Sequence, residues 1–216
     1  MRSIPVQPFA PMRRLFGFPV LDMDWNGVLA FFEGHLKAPR RKLTVSFFDE
    51  NAALRQLVDP AYRDLLSQRA LLPAAGTLSR TWERLTRKDT ASAHFRVERF
   101  APALLTFLAE GRRIALVGEE MGAVGRLREE LSAHAPWHEF MAIATSQIGE
   151  HRDDFFDLIL VQAGSPAEER RIEPRLSGLH TSLVVIVGTG LDKFEAERPA
   201  FRFAAAAASI EESAAA

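Results

Sequence analysis

The chain has no cysteine, which removes disulfides, thiolate metal sites and a cysteine nucleophile together. It has no excess of charge either: 27 basic against 28 acidic residues leave a formal net charge of −1. That balance argues against a partner held by bulk electrostatics, nucleic acid above all. No apolar run approaches the length of a membrane span. The N-terminal stretch is broken by Pro5, Pro8 and Pro11 and so lacks the apolar core of a signal peptide. The expected location is cytoplasmic, with at most peripheral membrane association.

Motifs are missing as well. The sequence contains no Gly-x-x-x-x-Gly-Lys-Ser/Thr phosphate loop and no Gly-x-Ser-x-Gly elbow. Gly118-Glu119-Glu120-Met121-Gly122 is not a dinucleotide fingerprint, and its acidic pair would repel pyrophosphate. The six histidines (His35, His94, His134, His138, His151, His180) show no metal spacing. His134 and His138 bracket Ala135-Pro136, which breaks the helix that would align them on zinc. No metal is expected.

What is present is ordinary globular composition, 47% apolar and 25% charged over 216 residues, enough for one domain of good size. The most informative stretch runs from Asp157 to Ile172. Leu158 to Val161 is the continuous apolar run of a strand buried on both faces. Ala163 and Gly164 break it. Ser165 then reads as a helix N-cap with Pro166 at the first helical position, and Glu168 completes a capping box. Such a strand, turn and capped helix leaves backbone N–H groups at the C-terminal edge of a sheet, where phosphates and sugar hydroxyls bind in open α/β folds.

The rest of the chain repeats that rhythm. Residues 1–14 read as a disordered arm, and Phe16 to Val20 as a short strand. Trp25 to Leu36 has helical spacing and Leu43 to Phe48 reads as a strand. Asn51 to Val58 and Ala61 to Arg69 are expected helices, the second capped by Asp59 with Pro60 behind it. Pro73 to Gly76 reads as a turn, Leu78 to Arg87 as a helix and Lys88 to His94 as a polar loop. Further helices are expected at Pro102 to Glu110, stopped by Gly111, at Gly122 to His134, and at Ala167 to Glu173, limited by Pro174. Strands are expected at Arg113 to Val117, Phe140 to Thr145, Asp157 to Gln162 and Leu183 to Val187. The alternation predicts a single α/β domain, 15–195, with a Rossmann-like, mostly parallel sheet and helices on both faces. Residues 196–216 form an alanine-rich tail.

The order and spacing of several segments resemble the WecG/TagA/CpsF glycosyltransferase family. These are Phe16-Gly17-Phe18-Pro19-Val20, Asp59-Pro60-Ala61-Tyr62-Arg63-Asp64-Leu65-Leu66, Ile114 to Gly118, Gly164-Ser165-Pro166-Ala167-Glu168-Glu169, and Gly188 with Asp192. The resemblance implies transfer of a sugar from a UDP donor to a lipid-linked saccharide in cell-surface polysaccharide biosynthesis. It implies no cofactor beyond that donor substrate, and other polysaccharide-synthesis proteins as partners.

The departures from the family's pattern are as informative as the matches. The resemblance places an aspartate general base, followed by glycine, at the position held here by Ala75 before Gly76, and a methyl group cannot take a proton. The family's Thr-x-Asn falls at Phe47 and Asp49, or with a two-residue shift keeps its amide as Asn51. The lysine and glutamine of its Pro-Lys-Gln-Glu signature become Ala167 and Glu168, and its Gly-x-Asp falls at Arg99 and Ala101. The family's basic C-terminal appendage has no counterpart, since only Arg198 and Arg202 are basic after Phe194.

Asp49 and Glu169 are therefore the candidate catalytic residues. Gly118, Gly164, Ser165, Glu168, Gly188 and Asp192 are the candidate nucleotide-sugar ligands. Arg80, Arg96 and Arg99 could neutralise a diphosphate. Each has a plainer role open to it: Glu168 and Asp49 at helix starts, Asp192 with loop amides, the arginines in solvent. Three readings follow: a degenerate family member with a residual nucleotide-sugar pocket, an active glycosyltransferase whose base is Asp49, and an α/β interaction domain without a small ligand. A cleft shared by Asp49, Ala75 and Glu169 would favour the second reading, and one filled by Phe47 and Phe48 would oppose it.

Overall fold

The structure, a computed structural model, describes residues 11–38, 41–75 and 92–191. Its strands are β1 (Met12–Leu15), β2 (Phe18–Leu21), β3 (Leu43–Phe48), β4 (Ala70–Pro73), β5 (Arg113–Gly118), β6 (Glu139–Ala144), β7 (Phe155–Val161) and β8 (His180–Ile186). Its helices are α1 (Trp25–Lys37), α2 (Glu50–Val58), α3 (Pro60–Ser67), α4 (Val97–Phe107), α5 (Met121–His134) and α6 (Pro166–Leu176). A 3₁₀ segment, Thr145–His151, joins β6 to β7.

Six strands form one sheet in the order β4-β3-β8-β7-β5-β6, and every neighbouring pair is parallel. The predicted α/β sheet and its Rossmann-like character are therefore present. The apolar runs make this arrangement necessary, because successive side chains of a strand point to opposite faces. Ile114, Leu116, Leu158, Leu160, Leu183 and Val185 join one core with Val28 and Phe32 of α1, Phe100 and Leu104 of α4, and Leu127 and Leu131 of α5. Their alternates Ala115, Val117, Ile159, Val161, Val184 and Ile186 meet Ile172 and Leu176 of α6 in a second core.

Strands β1 and β2 form an antiparallel hairpin outside the main sheet. Its two-residue turn, Phe16-Gly17, has left-handed φ values of 49° and 83°, as a type I′ hairpin requires. Phe18 stacks on Phe48 at 5.5 Å, and Leu15 and Val20 close a third core with Tyr62, Leu66 and Leu71. The hairpin overturns the expectation that residues 12–14 belong to a disordered arm. Those three residues pair with β2.

Other boundaries move for tertiary reasons. Arg69, expected to end a helix, instead precedes the unexpected strand β4, whose four residues are all buried. Helix α4 starts five residues earlier than expected and carries Pro102 inside it, because Phe100 and Ala101 must reach the core. Leu108, not the residue before Gly111, is its C-cap. Helix α6 runs on past Pro174 to bury Leu176. The helix expected at 78–87, most of the loop at 88–94, residues 1–10 and the tail lie outside the described residues.

At the edge of the sheet opposite the strand C-termini, His138 is buried with both ring nitrogens committed. Nε2 donates to the Leu105 carbonyl at 2.9 Å, and Nδ1 accepts from the Arg112 amide at 3.1 Å. Burial pushes its pKa below the ordinary value of 6.5; the Leu105 carbonyl opposes that and is outweighed. The native ring is neutral, so the unfolded chain takes up a proton first as pH falls. The stability this ring contributes should be complete above pH 6.5 and decline below it. Denaturant midpoints measured against pH should show that decline in the wild type, and a smaller one in His138→Gln.

Candidate active site

The C-terminal ends of β3, β8 and β7 open into a cavity of about 890 Å³. Two helices begin at its wall. Asp49 caps α2, its Oδ1 accepting from the Ala52 amide at 2.8 Å. Ser165 caps α6, its Oγ accepting from the Glu168 amide at 3.2 Å, with Pro166 at the first position. Both caps line the cavity, so the positive ends of two helix dipoles converge on it. Gly164, Gly188, Thr189 and Gly190 supply backbone on the side of β7 and β8.

A buried guanidinium holds the wall together. The Arg69 side chain is 1% exposed, and its Nη1 donates to Ser46 Oγ at 2.8 Å and to Glu169 Oε1. Its Nη2 donates to Glu173 Oε2 at 2.5 Å. Ser46 and Glu169 face the cavity from above this cation. Tyr62 lines the cavity beside them. Burial first, and the Glu169 charge second, push its phenol up to about 12, so near neutral pH it carries its proton and can donate it in a hydrogen bond.

The predicted site residues divide. Asp49, Gly164, Ser165, Glu169 and Gly188 share the cavity. Gly118 and Glu168 do not line it; they line an adjoining depression of about 410 Å³ with Glu119, Glu120, Arg126 and Glu130, which meets the cavity at Gly164 and Thr189. Gly118 has a packing reason to be glycine, since a Cβ there would come within 2.7 Å of Val124 of α5. Asp192, Gly76 and Arg80 lie outside the described residues. Arg96 and Arg99 are exposed and absent from the lining. Ala75 is not among the lining residues either; its amide donates to the Phe95 carbonyl at 2.9 Å. Phe47 lines the cavity, while Phe48 turns into the hairpin core.

Glu168 departs from the expected capping box. Its Oε2 accepts from the amide of Gly164, at 2.7 Å, rather than from that of Ser165. The carboxylate therefore occupies a turn N–H that the sequence had assigned to a ligand. Glu169 is the partner of Arg69 rather than a free carboxylate.

Sequence reasoning missed Ser46, Tyr62 and Arg69. Ser46 is, with Thr44, one of two hydroxyl residues in the otherwise apolar strand LTVSFF, and the buried one of the two, which was a usable signal. Arg69 gave none, because its meaning depends on a partner 100 residues away. Among the described residues no group of three or more His, Cys, Asp or Glu could hold a metal ion.

A doubly covered parallel sheet with a ligand-sized cleft at its strand C-termini defines a Rossmann-like α/β protein. The family model described as "Glycosyl transferase WecG/TagA/CpsF family" matches residues 13–198. The chain belongs to that family, and its place is accordingly with glycosyltransferase-type proteins of polysaccharide biosynthesis. A search of curated proteins returns no match.

Removing Arg69 would leave Glu169 and Glu173 facing each other without their cation. Arg69→Met should lower stability by about 3–5 kcal/mol, the usual cost of stranding one side of a buried pair. Arg69→Met combined with Glu169→Gln should recover part of the loss. Urea unfolding of the three proteins, compared at constant m, measures both effects.

Proposed function

We propose that this chain is a catalytically degenerate WecG/TagA/CpsF protein that retains a nucleotide-sugar pocket. The observation carrying this reading is that the two candidate catalytic carboxylates in the cavity already have structural bonds; the third lining carboxylate, Glu98, is exposed and lies 3.8 Å from Arg96. Asp49 caps α2, and Glu169 is paired with a buried Arg69. A general base needs a lone pair aimed at the acceptor hydroxyl, and protonating Glu169 would break its ion pair. The resemblance puts the family's base at the position held here by Ala75. The cavity volume lies within the range of small-molecule sites, roughly 300–1,000 Å³. Two converging helix N-termini suit the phosphates of a UDP-sugar. In this reading the protein works on the cytoplasmic side as a binding partner of other polysaccharide-synthesis proteins, and meets its lipid-linked saccharide by peripheral membrane association.

Loss of a positioned base typically costs about a hundred- to ten-thousand-fold in rate, on the order of 3–5 kcal/mol. One observation favours an active enzyme instead: Asp49 and Glu169 line the same cavity, which keeps Asp49 within reach of a bound acceptor. Calorimetric titration with UDP and UDP-sugars tests the pocket. Sugar transfer to a lipid-diphosphate acceptor tests the chemistry. The expected result is UDP-sugar binding with background turnover in the wild type, and a gain in Ala75→Asp. Robust wild-type turnover abolished by Asp49→Asn, which keeps a good cap, would establish the active reading. Absence of any UDP or UDP-sugar binding would leave an interaction domain.

A further inference from the structure

The two edges of the sheet are finished differently. At one edge, β4 is four residues long, ends in Pro73 and is wholly buried. The chain just beyond it is bridged by Phe95, whose amide donates to the Pro73 carbonyl at 2.8 Å and whose carbonyl accepts from the Ala75 amide at 2.9 Å. Short length, proline and cover are common ways of closing a sheet edge. At the other edge, β6 is six residues long, EFMAIA, with no proline and no lysine. It pairs with β5 in unbroken register, without a bulge. Its one charge, Glu139, is paired with Arg113 of β5 at 3.3 Å. Phe140, Met141 and Ala142 are only half-buried, and among the described residues no strand or bridge lies outside them.

The outward backbone groups of this edge follow from one bond. The Glu139 amide donates to the Arg112 carbonyl at 2.9 Å, so Glu139, Met141 and Ile143 turn their N–H and C=O groups toward β5. Phe140, Ala142 and Ala144 turn theirs outward. Gln147 Oε1 already accepts from the Ala144 amide at 3.4 Å, which leaves the N–H and C=O groups of Phe140 and Ala142. We propose that β6 is the contact through which two copies of this chain pair, antiparallel about a two-fold axis at Met141, so that their sheets run on as one. Such an axis stands normal to the sheet and keeps every side chain on its own face, so it passes through a residue rather than between two. Centred on Ala142, it would set Phe140 against Ala144, whose amide Gln147 holds. Centred on Met141, it sets Phe140 against the second copy's Ala142 and Ala142 against the second copy's Phe140. Every remaining outward group is then bonded, and each large side chain lies beside a small one. Met141 meets its own counterpart, an adaptable contact, and the two Glu139 carboxylates fall at opposite ends. This self-complementarity selects a second copy as the occupant. Trp137, 44% exposed, adds an aromatic rim, since its indole N–H is already given to the Leu108 carbonyl at 3.0 Å and its ring is held in place. No residue of β6 lines the cavity, so the contact leaves the cavity open.

Sedimentation of the full chain across the micromolar range should show a monomer–dimer equilibrium. Ala142→Pro removes an outward amide without touching the β5 ladder, and Met141→Lys sets two like charges face to face at the axis. Each should weaken the dimer by at least about tenfold in dissociation constant. A wild type that stays monomeric, or a dimer that both variants keep, overturns the proposal. The register is read separately, with far smaller changes to the edge. The chain has no cysteine, so one introduced thiol per copy reports on it alone. Met141→Cys puts two thiols across a non-hydrogen-bonded pair, where the Cα atoms are about 4.5 Å apart and a disulfide fits. Glu139→Cys puts them roughly 14 Å apart, beyond a disulfide's reach. In oxidised glutathione Met141→Cys should cross-link at least about tenfold faster than Glu139→Cys, although Glu139 is the more exposed position. Equal rates overturn the proposal. So does a monomer whose Phe140 and Ala142 amides are protected from hydrogen exchange, which would give the edge to another segment of its own chain.

Discussion

Strands β5, β7 and β8 have no face left for water, and the rest of the molecule follows from that. Each alternates its side chains between two apolar layers, so helices must cover both sides of the sheet. Parallel pairing then forces every connection to return across a face, and all the strand C-termini gather along one edge. The order β4-β3-β8-β7-β5-β6 sends β5 outward to β6 and β7 the other way to β8. Loops part at that divergence, and the two depressions lie beside it.

The polar residues of this edge have been drawn into holding it together. Arg69 is buried between Ser46 of β3 and two carboxylates of α6, joining the β3-β4 flank to the helix behind β7. A buried cation is tolerated only when its partners are in place, so Glu169 serves the scaffold. Glu168 turns back to the Gly164 amide, and Asp49 caps α2. Three carboxylates that a catalytic reading would place around a donor and an acceptor are instead bonded to backbone or to a guanidinium. The cavity keeps its volume, its two helix N-termini and its glycine backbone. In the proposed reading binding and chemistry come apart, because binding asks for shape and dipoles, whereas proton transfer asks for a lone pair aimed at the acceptor.

Helix α2 shows the same separation on a smaller scale. Its cap, Asp49, and its inward alanines fix it against the hairpin core with Ala52, Ala53, Tyr62 and Phe48. Small residues at that contact allow close approach of the helix, and the large ones, Leu54, Leu57 and Val58, are left exposed at the cavity rim. The Phe16-Gly17 turn and the Phe18–Phe48 stack support the flank from beneath, so the rim stands on rigid packing.

Much of this was legible in the residues alone, and for a local reason. Leu158 to Val161 announces a strand covered twice, Ser165-Pro166 starts a helix, and Asp59-Pro60 starts another; each depends on neighbours in the chain. The family's segments could be aligned on the same local features. What needed the tertiary structure were the elements whose meaning lies far away in sequence. Strand β4 is four residues long and exists because β3 offers it a ladder. The role of Arg69 depends on Glu169 and Glu173, about a hundred residues on. Gly118 and Glu168 were assigned to one ligand with Ser165 because all three sit at strand ends, but the sheet order puts the first two in a neighbouring depression. The outward stripe of α2 was invisible too, since periodicity reports that a helix has two faces and not which one the core accepts. The sequence by itself determined most of the elements and the family. Tertiary packing decided which carboxylates were left free, because a charge takes its role from the partners that burial brings to it.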